Sequence, residues 1–424
     1  MVRFHFFLAA LLAALLALPG CGAKAPTLPS DRPMSRQPVM RVRIARNKPS
    51  VRIGAGRLRV RALGGGSGRS FESPLTIRHR PGRFELEPRR GKAITWSTSV
   101  LRIEEEGIAR AGTSDHASEG RGIRIDGASF PGRLQIHLQA GGLDVVNEVP
   151  MENYLPGVLE GELYSHWGFE TFAAQTIAAR TYALHRAMRS KGRHYDVEST
   201  TASQVYLGTT RNRQALEAVR RTRGMVLTWQ DRIFPAYYSS TCGGTGQDAH
   251  LAFTDSPDIP PLHGRRHGGW CAASGHYRWG PLRRDRIDLG RRLASWGSAN
   301  AHPIAAVRSV DRVVVVSRNG SGRPTTFAVS NTSGQTFRIQ AESFRFACNH
   351  SGSGLPAVEK AAVLKSAHVN VAVNGKSVWF RDGRGHGHGV GLCQWGTQSM
   401  ASKGHNAASI LNFYYPGAKV KRLY

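Results

Sequence analysis

Three carboxylates stand close together in VPMENYLPGVLEGELYSHW: Glu152, Glu160 and Glu162. A carboxyl group among apolar neighbours is pushed toward its neutral form and can then donate a proton near neutral pH. Leu159, Leu163 and Trp167 could supply such surroundings for Glu162. Glu152 follows a helix start and suits the positive helix end, while Glu160, two residues from Glu162, points to a different face. For each, plain solvent exposure on an amphipathic helix is the competing reading. Far along the chain, GHGHGVGLCQWG alternates His386 and His388 with glycine. Alternate residues of an extended stretch face the same way, which suits a metal or a hydrogen-bonding and acid–base role. Only Asp382 and Cys393 stand near enough in sequence to complete a ligand set, so the metal reading is the weaker one.

Other polar residues recur in compact groups. Gln175, Arg180 and Tyr182 lie in AQTIAARTY, Gln204 and Tyr206 in SQVYLG, and Tyr238, Ser239 and Thr241 in YSSTCGG, followed by Gln394 and Trp395 after the histidines. An amide offers paired donors and acceptors, and a phenol stacks and bonds together. Gly243 and Gly244 allow close backbone approach. Buried hydrogen bonding, chain turning and, for Trp395, a core anchor are the structural alternatives.

The elements that must position these groups change character along the chain. From Val39 to Asn147 short alternating runs broken by Gly, Pro and Asn predict strands with one buried face. Gly64–Gly68 reads as a loop, since no strand–loop–helix pattern ending in Lys follows. Met151–Leu163 and Phe169–Arg189 read as helices; in the second, Phe172, Gln175, Ala179, Tyr182 and Arg186 recur at three- and four-residue steps. A third helix is expected over Arg213–Arg223, strands at Met225–Thr228, Ile233–Ser239, Val310–Ser317, Pro324–Ser330, Val369–Val373 and Ser377–Arg381, and a helix near Gly391–Lys403. Residues 254–275 read as a loop-rich insert. Helices and strands do not alternate regularly, so the fold class is α+β.

Length and composition fit a folded chain with a substantial core in two domains: 424 residues, 40% hydrophobic. Residues 1–20 carry an early basic residue and a short apolar run, the pattern of an export signal. The following LPGC resembles the bacterial lipoprotein cleavage box and predicts lipidation of Cys21, with ordinary signal cleavage as the alternative. Residues 21–38 read as an extended tether. The formal charge of +29 would suit nucleic acid, but only ten of the 58 basic residues are Lys and the Arg are spread along the chain. With an export signal this points to anionic envelope polymers or headgroups, or to solvated surface Arg, and not to nucleic acid. If Cys21 is lipidated, Cys242, Cys271, Cys348 and Cys393 remain, an even number that permits two disulfides. Three pairings exist; Cys242–Cys271 with Cys348–Cys393 is favoured because the first pair is closest in sequence.

The segments 149–184, SQVYLG, AYYSSTCGGTGQDA, GRGHGHGVGLCQWGTQSMA and ILNFYYPG occur in one order over 143–420, and together they resemble the SpoIID/LytB family. The resemblance implies a SpoIID-like mixed helix/sheet catalytic domain over 148–424, preceded by a β-rich amino-terminal domain over 39–147. It implies a lytic transglycosylase of the cell envelope that cuts the MurNAc–GlcNAc bond of peptidoglycan strands, preferring strands stripped of stem peptides. Aligned with the family's GVVxxEM motif, GVLEGEL places the general acid/base at Glu162. Gln175 and Arg180 would orient it or bind sugar, Gln204, Tyr206, Tyr238, Ser239 and Thr241 would line the groove, and His388 would be a donor or second acid–base group beside Gln394 and a sugar-stacking Trp395. Some SpoIID-type enzymes hold zinc upstream of QVY; Ala202 and Ser203 stand where that cluster's last His and Cys would fall, so no zinc is expected there and no cofactor is expected. The alternative is a non-catalytic glycan-binding protein that stimulates a partner amidase.

Overall fold

The computed structural model describes residues 36–65, 67–107, 122–352 and 354–424. The export signal, Cys21 and most of the tether lie outside the described residues. The tether's last residues are docked: the Met151 amide donates to the Pro38 carbonyl at 2.8 Å and the Glu152 amide to Gln37 Oε1 at 3.0 Å.

The amino-terminal strands form two sheets, one of seven strands and one of six. Alternation explains both the sheets and the basic composition. In Arg57–Ala62, Leu58 and Val60 are fully buried while Arg57 and Arg61 pair outside with Glu106 and Glu104. Each apolar side chain so buried is worth about 1.5–3 kcal/mol, whereas such surface ion pairs contribute about 0–1 kcal/mol. The long strand Gly142–Pro150 runs between Val39–Lys48 and Arg133–Gln139, antiparallel to both. Val39–Lys48 also pairs, in parallel, with Val197–Glu198 from the later part of the chain. Arg41 grips Asp196, and Arg43 bonds Asp144 and Glu198. One hydrophobic cluster therefore runs from Met40 and Val42 through Met151, Leu155 and Phe172 to Val226, across the residue-147 boundary read from composition.

Eight helices are defined among the described residues: α1 (Met151–Glu162), α2 (Phe169–Arg189), α3 (Arg213–Arg221), α4 (Ala249–Ala252), α5 (Arg286–Ala299), α6 (Ala341–Cys348), α7 (Gln394–Ser402) and α8 (Ala407–Tyr414). None is long and apolar enough to cross a membrane. The mixture of helices with several small sheets is α+β. A second cluster gathers Ala174 and Ile177 of α2 with Leu392, Met400 and Tyr415. A third, from Trp279 to Phe380, joins α5, α6 and two three-stranded sheets. Residues 254–275 hold one short 3-10 turn, Pro260–Leu262, and a single bridge from Arg266 to Thr245, and the chain that follows them builds this third core.

Candidate active site

Glu162 is the last residue of α1, and its carboxylate is held from two directions. Oε1 accepts from the Val205 amide at 2.9 Å; Oε2 accepts from the Gln394 side-chain amide at 3.0 Å. The geometry begins with two glycines one helical turn apart on α1. A Cβ on Gly157 would stand 2.0 Å from the Gly208 carbonyl oxygen, and one on Gly161 would meet the Val205 Cγ1 at 2.7 Å. Their absence lets the SQVYLG segment lie directly on the helix, where the Leu207 amide donates to the Gly157 carbonyl at 3.2 Å. The same close approach delivers the Val205 amide to Glu162. Burial raises the Glu162 carboxyl above the ordinary carboxylate range, partly offset by the Val205 and Gln394 bonds, which favour the ionised form.

The other two carboxylates of α1 are committed elsewhere. Glu152 is buried and accepts from Arg180 Nε and Nη2 at 2.9 and 2.7 Å. Glu160 is exposed and accepts from the Thr210 hydroxyl at 3.0 Å, at the edge of a shallow cleft lined also by Ser165, Arg211 and Arg213.

Beside Glu162 the chain builds an aromatic cluster. Trp167 is buried, Trp395 half-buried, and Tyr164 is 55% exposed with its ring against both, centroids 5.1 Å from Trp167 and 5.9 Å from Trp395. Gln398 ties α7 to the start of α2, accepting from the Gly168 amide at 3.0 Å and the Thr171 hydroxyl at 2.8 Å. Tyr164 was absent from the candidates read in the sequence; an aromatic two residues past the carboxylate was the available signal.

Several of the expected groove residues are buried. Gln204 is fully buried: its Oε1 accepts from the Tyr154 hydroxyl, and its Nε2 donates to the Ala179 carbonyl and the Tyr238 hydroxyl. Tyr206 is 3% exposed and donates to Asn147 Oδ1 at 2.9 Å. Arg180 is fully buried on Glu152 and the Met225 carbonyl. Thr241 shares a hydrogen bond with the Ser274 hydroxyl, and Ser239 accepts from the Gly389 amide. At these five positions the side chains are bonded inside the protein, the internal alternative to sugar contact. Tyr238 remains half-buried above Gln204. Gln175 differs from them: it is fully buried and neither side-chain polar atom has a hydrogen-bond partner among the described residues.

His388 is also bonded inside the protein. Its Nδ1 accepts from the Val390 amide at 3.0 Å, its ring bonds the Tyr238 backbone, and burial lowers its pKa to about 4. The Nδ1 bond to Val390 orders the loop, and the lowered pKa keeps the ring neutral near neutral pH. His386 packs edge-on against His276 and joins no ligand cluster with His388.

Of the two expected cysteine pairs one is brought together, the Cys242 and Cys271 sulfurs lying 3.6 Å apart. No disulfide joins the described cysteines. Cys348 ends α6 in the third core, while Cys393 lies in the second with Cys242 and Cys271, so the Cys348–Cys393 pairing is corrected: the two belong to separately packed layers.

Residues 139–229 match the SpoIID family model, described as stage II sporulation protein. The matched stretch carries α1, α2, α3 and the SQVYLG segment. The chain is 28% identical over 322 residues to an uncharacterised protein of Brachyspira hyodysenteriae, covering 76% of this chain and 79% of that one. It is 29% identical over 290 residues to an amidase enhancer of Bacillus subtilis, covering 62% of this chain but 39% of the enhancer. To stage II sporulation protein D of the same bacterium it is 25% identical over 293 residues, covering 65% of this chain and 75% of that one.

Proposed function

We propose that the protein is a peptidoglycan lytic transglycosylase in which Glu162 is general acid and then general base. What supports this reading is the Glu162 carboxyl, raised in pKa by burial and held by two neutral amide donors with no cation paired to it, two residues from the exposed Tyr164 ring. Two-carboxylate glycoside hydrolysis needs a partner acid within roughly 5–9.5 Å, and the other carboxylates of α1 are tied to Arg180 and Thr210. One carboxyl suffices when the substrate supplies its own nucleophile. Glu162 gives its proton to the glycosidic oxygen as the bond to the muramic acid C1 breaks. The muramic acid 6-hydroxyl then bonds to C1 and returns its proton to Glu162, leaving a 1,6-anhydro end. Tyr164 would stack on a sugar ring and Gln394 would hold the carboxyl in line.

The similarity to a protein named amidase enhancer supports a second reading, in which the same groove binds glycan and stimulates a partner amidase without cutting. Mass spectrometry of products from peptide-free glycan strands, with the wild type and Glu162→Gln, separates them. Anhydro ends from wild type alone support the lytic reaction; reducing ends indicate hydrolysis by water. Binding without cleavage, together with faster amidase turnover when the protein is added, favours the enhancer. An envelope location with a lipid anchor at Cys21 belongs to the same proposal, and Cys21→Ser should then release the protein from membranes.

A further inference from the structure

Three cysteines drawn from separate stretches of chain meet at one point. Cys242 follows the strand Tyr238–Ser239, Cys271 lies in the loop after His267, and Cys393 closes the strand Leu392–Cys393. All three are buried, at 1, 1 and 0% exposure. Their sulfurs lie within 4.8 Å of one another, with 3.6 Å between Cys242 and Cys271. Zinc–thiolate bonds of about 2.3 Å in a tetrahedron put ligand sulfurs roughly 3.8 Å apart, close to this spacing. A disulfide would use two of the sulfurs and leave a third buried beside it with no role.

The surroundings are those of an anionic sulfur cluster. The Cys242 amide donates to Cys393 Sγ at 3.2 Å, and the amides of Gly243 and Gly244 bond Cys271. Both glycines have positive φ, 71° and 88°, so the turn after Cys242 can aim consecutive amides inward. Arg323 is 1% exposed, and its guanidinium donates to the carbonyls of Cys242, Thr245 and Gly387. No carboxylate lies within ion-pair distance of it among the described residues; nearby Glu342 is taken by Arg345. A buried cation without a paired anion is costly. Three thiolates around a divalent ion carry one net negative charge, which Arg323 would balance. Two further buried polar atoms lack partners, His267 Nδ1 and the Tyr414 hydroxyl, and both residues interact electrostatically with the cysteines.

We propose that Cys242, Cys271 and Cys393 form a zinc(II) site, with water completing the tetrahedron on the side of His267 and Tyr414. Soft thiolates select zinc among the common divalent ions. The site is argued from its own sulfurs and holds whichever reading of the glycan chemistry is correct. Because Cys393 immediately precedes Gln394, the ion would fix the first turn of α7.

The test is elemental analysis of the full chain purified without chelator, paired with alkylation of the denatured, unreduced protein. About one zinc per chain is expected, retained in Cys348→Ala and lost in Cys271→Ala. Should Cys271→Ala fail to fold, cobalt(II) exchanged into the wild type gives an independent readout: tetrahedral d–d absorption with an intense thiolate-to-metal charge-transfer band. A chain free of zinc that takes up no cobalt would overturn the site. So would copper(I) in place of zinc, or a mass lighter by two hydrogens that maps to a Cys242–Cys271 bridge.

Discussion

The Gln394 amide donates to Glu162 Oε2 across 3.0 Å, joining residues 232 positions apart in the chain. This bond stabilises the ionised carboxylate, whereas burial favours the neutral acid. Removing the donor should therefore raise the Glu162 pKa further. A proton donor works only while protonated, so glycan cleavage should decline as pH rises through that pKa. Gln394→Leu should move this alkaline limb to higher pH, while Glu162→Gln should abolish the rate at every pH. The limb is read from the pH dependence of kcat/KM, and an unshifted limb in Gln394→Leu would detach it from Glu162.

Arg180 was read from sequence as either a sugar ligand or an internal tie, and the structure buries it against Glu152. Arg180→Ala removes the cation paired with buried Glu152, which costs about 3–5 kcal/mol. Urea unfolding should show a loss of that order. A variant of normal stability with weakened glycan binding would return Arg180 to the groove.

Gly161→Ala should damage the site without touching a polar group. Its Cβ would meet the Val205 side chain at 2.7 Å and its carbonyl oxygen at 2.9 Å. Overpacking of this kind costs about 1–3 kcal/mol. Displacing Val205 also withdraws an amide from Glu162, so kcat should drop more than KM rises. Equal stability and activity for the variant would mean that the SQVYLG segment can yield.

Tyr164 is half exposed and packs edge-on against Trp167 and Trp395, so Tyr164→Ala should cost about 0.5–1.5 kcal/mol of stability. If its ring supports a sugar, KM for glycan strands should rise about tenfold, equivalent to ~1.4 kcal/mol, with kcat nearly unchanged. An unchanged KM would leave the ring without a substrate role.

Much of the framework was legible in the sequence because it depends on local periodicity. The expected helix Phe169–Arg189 matches α2 residue for residue, and α1 ends one residue before expected. Positions whose surroundings come from distant segments were not legible. Gln204 and Tyr206 have the chemistry of sugar ligands, yet their partners Tyr154, Tyr238 and Asn147 arrive from other elements and take up their polar atoms. The cysteine trio is hidden for the same reason, since spacing along the chain carries no record of which strands end together. Helix α5 was missed locally: Gly290 and Gly297 break its apolar pattern, and both serve close packing, against the Arg308 carbonyl and the Ala305 backbone.

The strand Gly142–Pro150 begins just inside the family-matched stretch, but both of its neighbours, Val39–Lys48 and Arg133–Gln139, lie at or before that stretch's first residues. Expressing residues 139–229 alone would strip partners from this central strand, residues 148–424 would lose most of the strand itself, and both would bare the face that Met40 and Val42 cover. Such truncations should aggregate through open strand edges. The smallest useful unit for crystallisation or engineering therefore starts near Gln37, and exchanging modules between relatives would need to carry the amino-terminal sheets along with the helices.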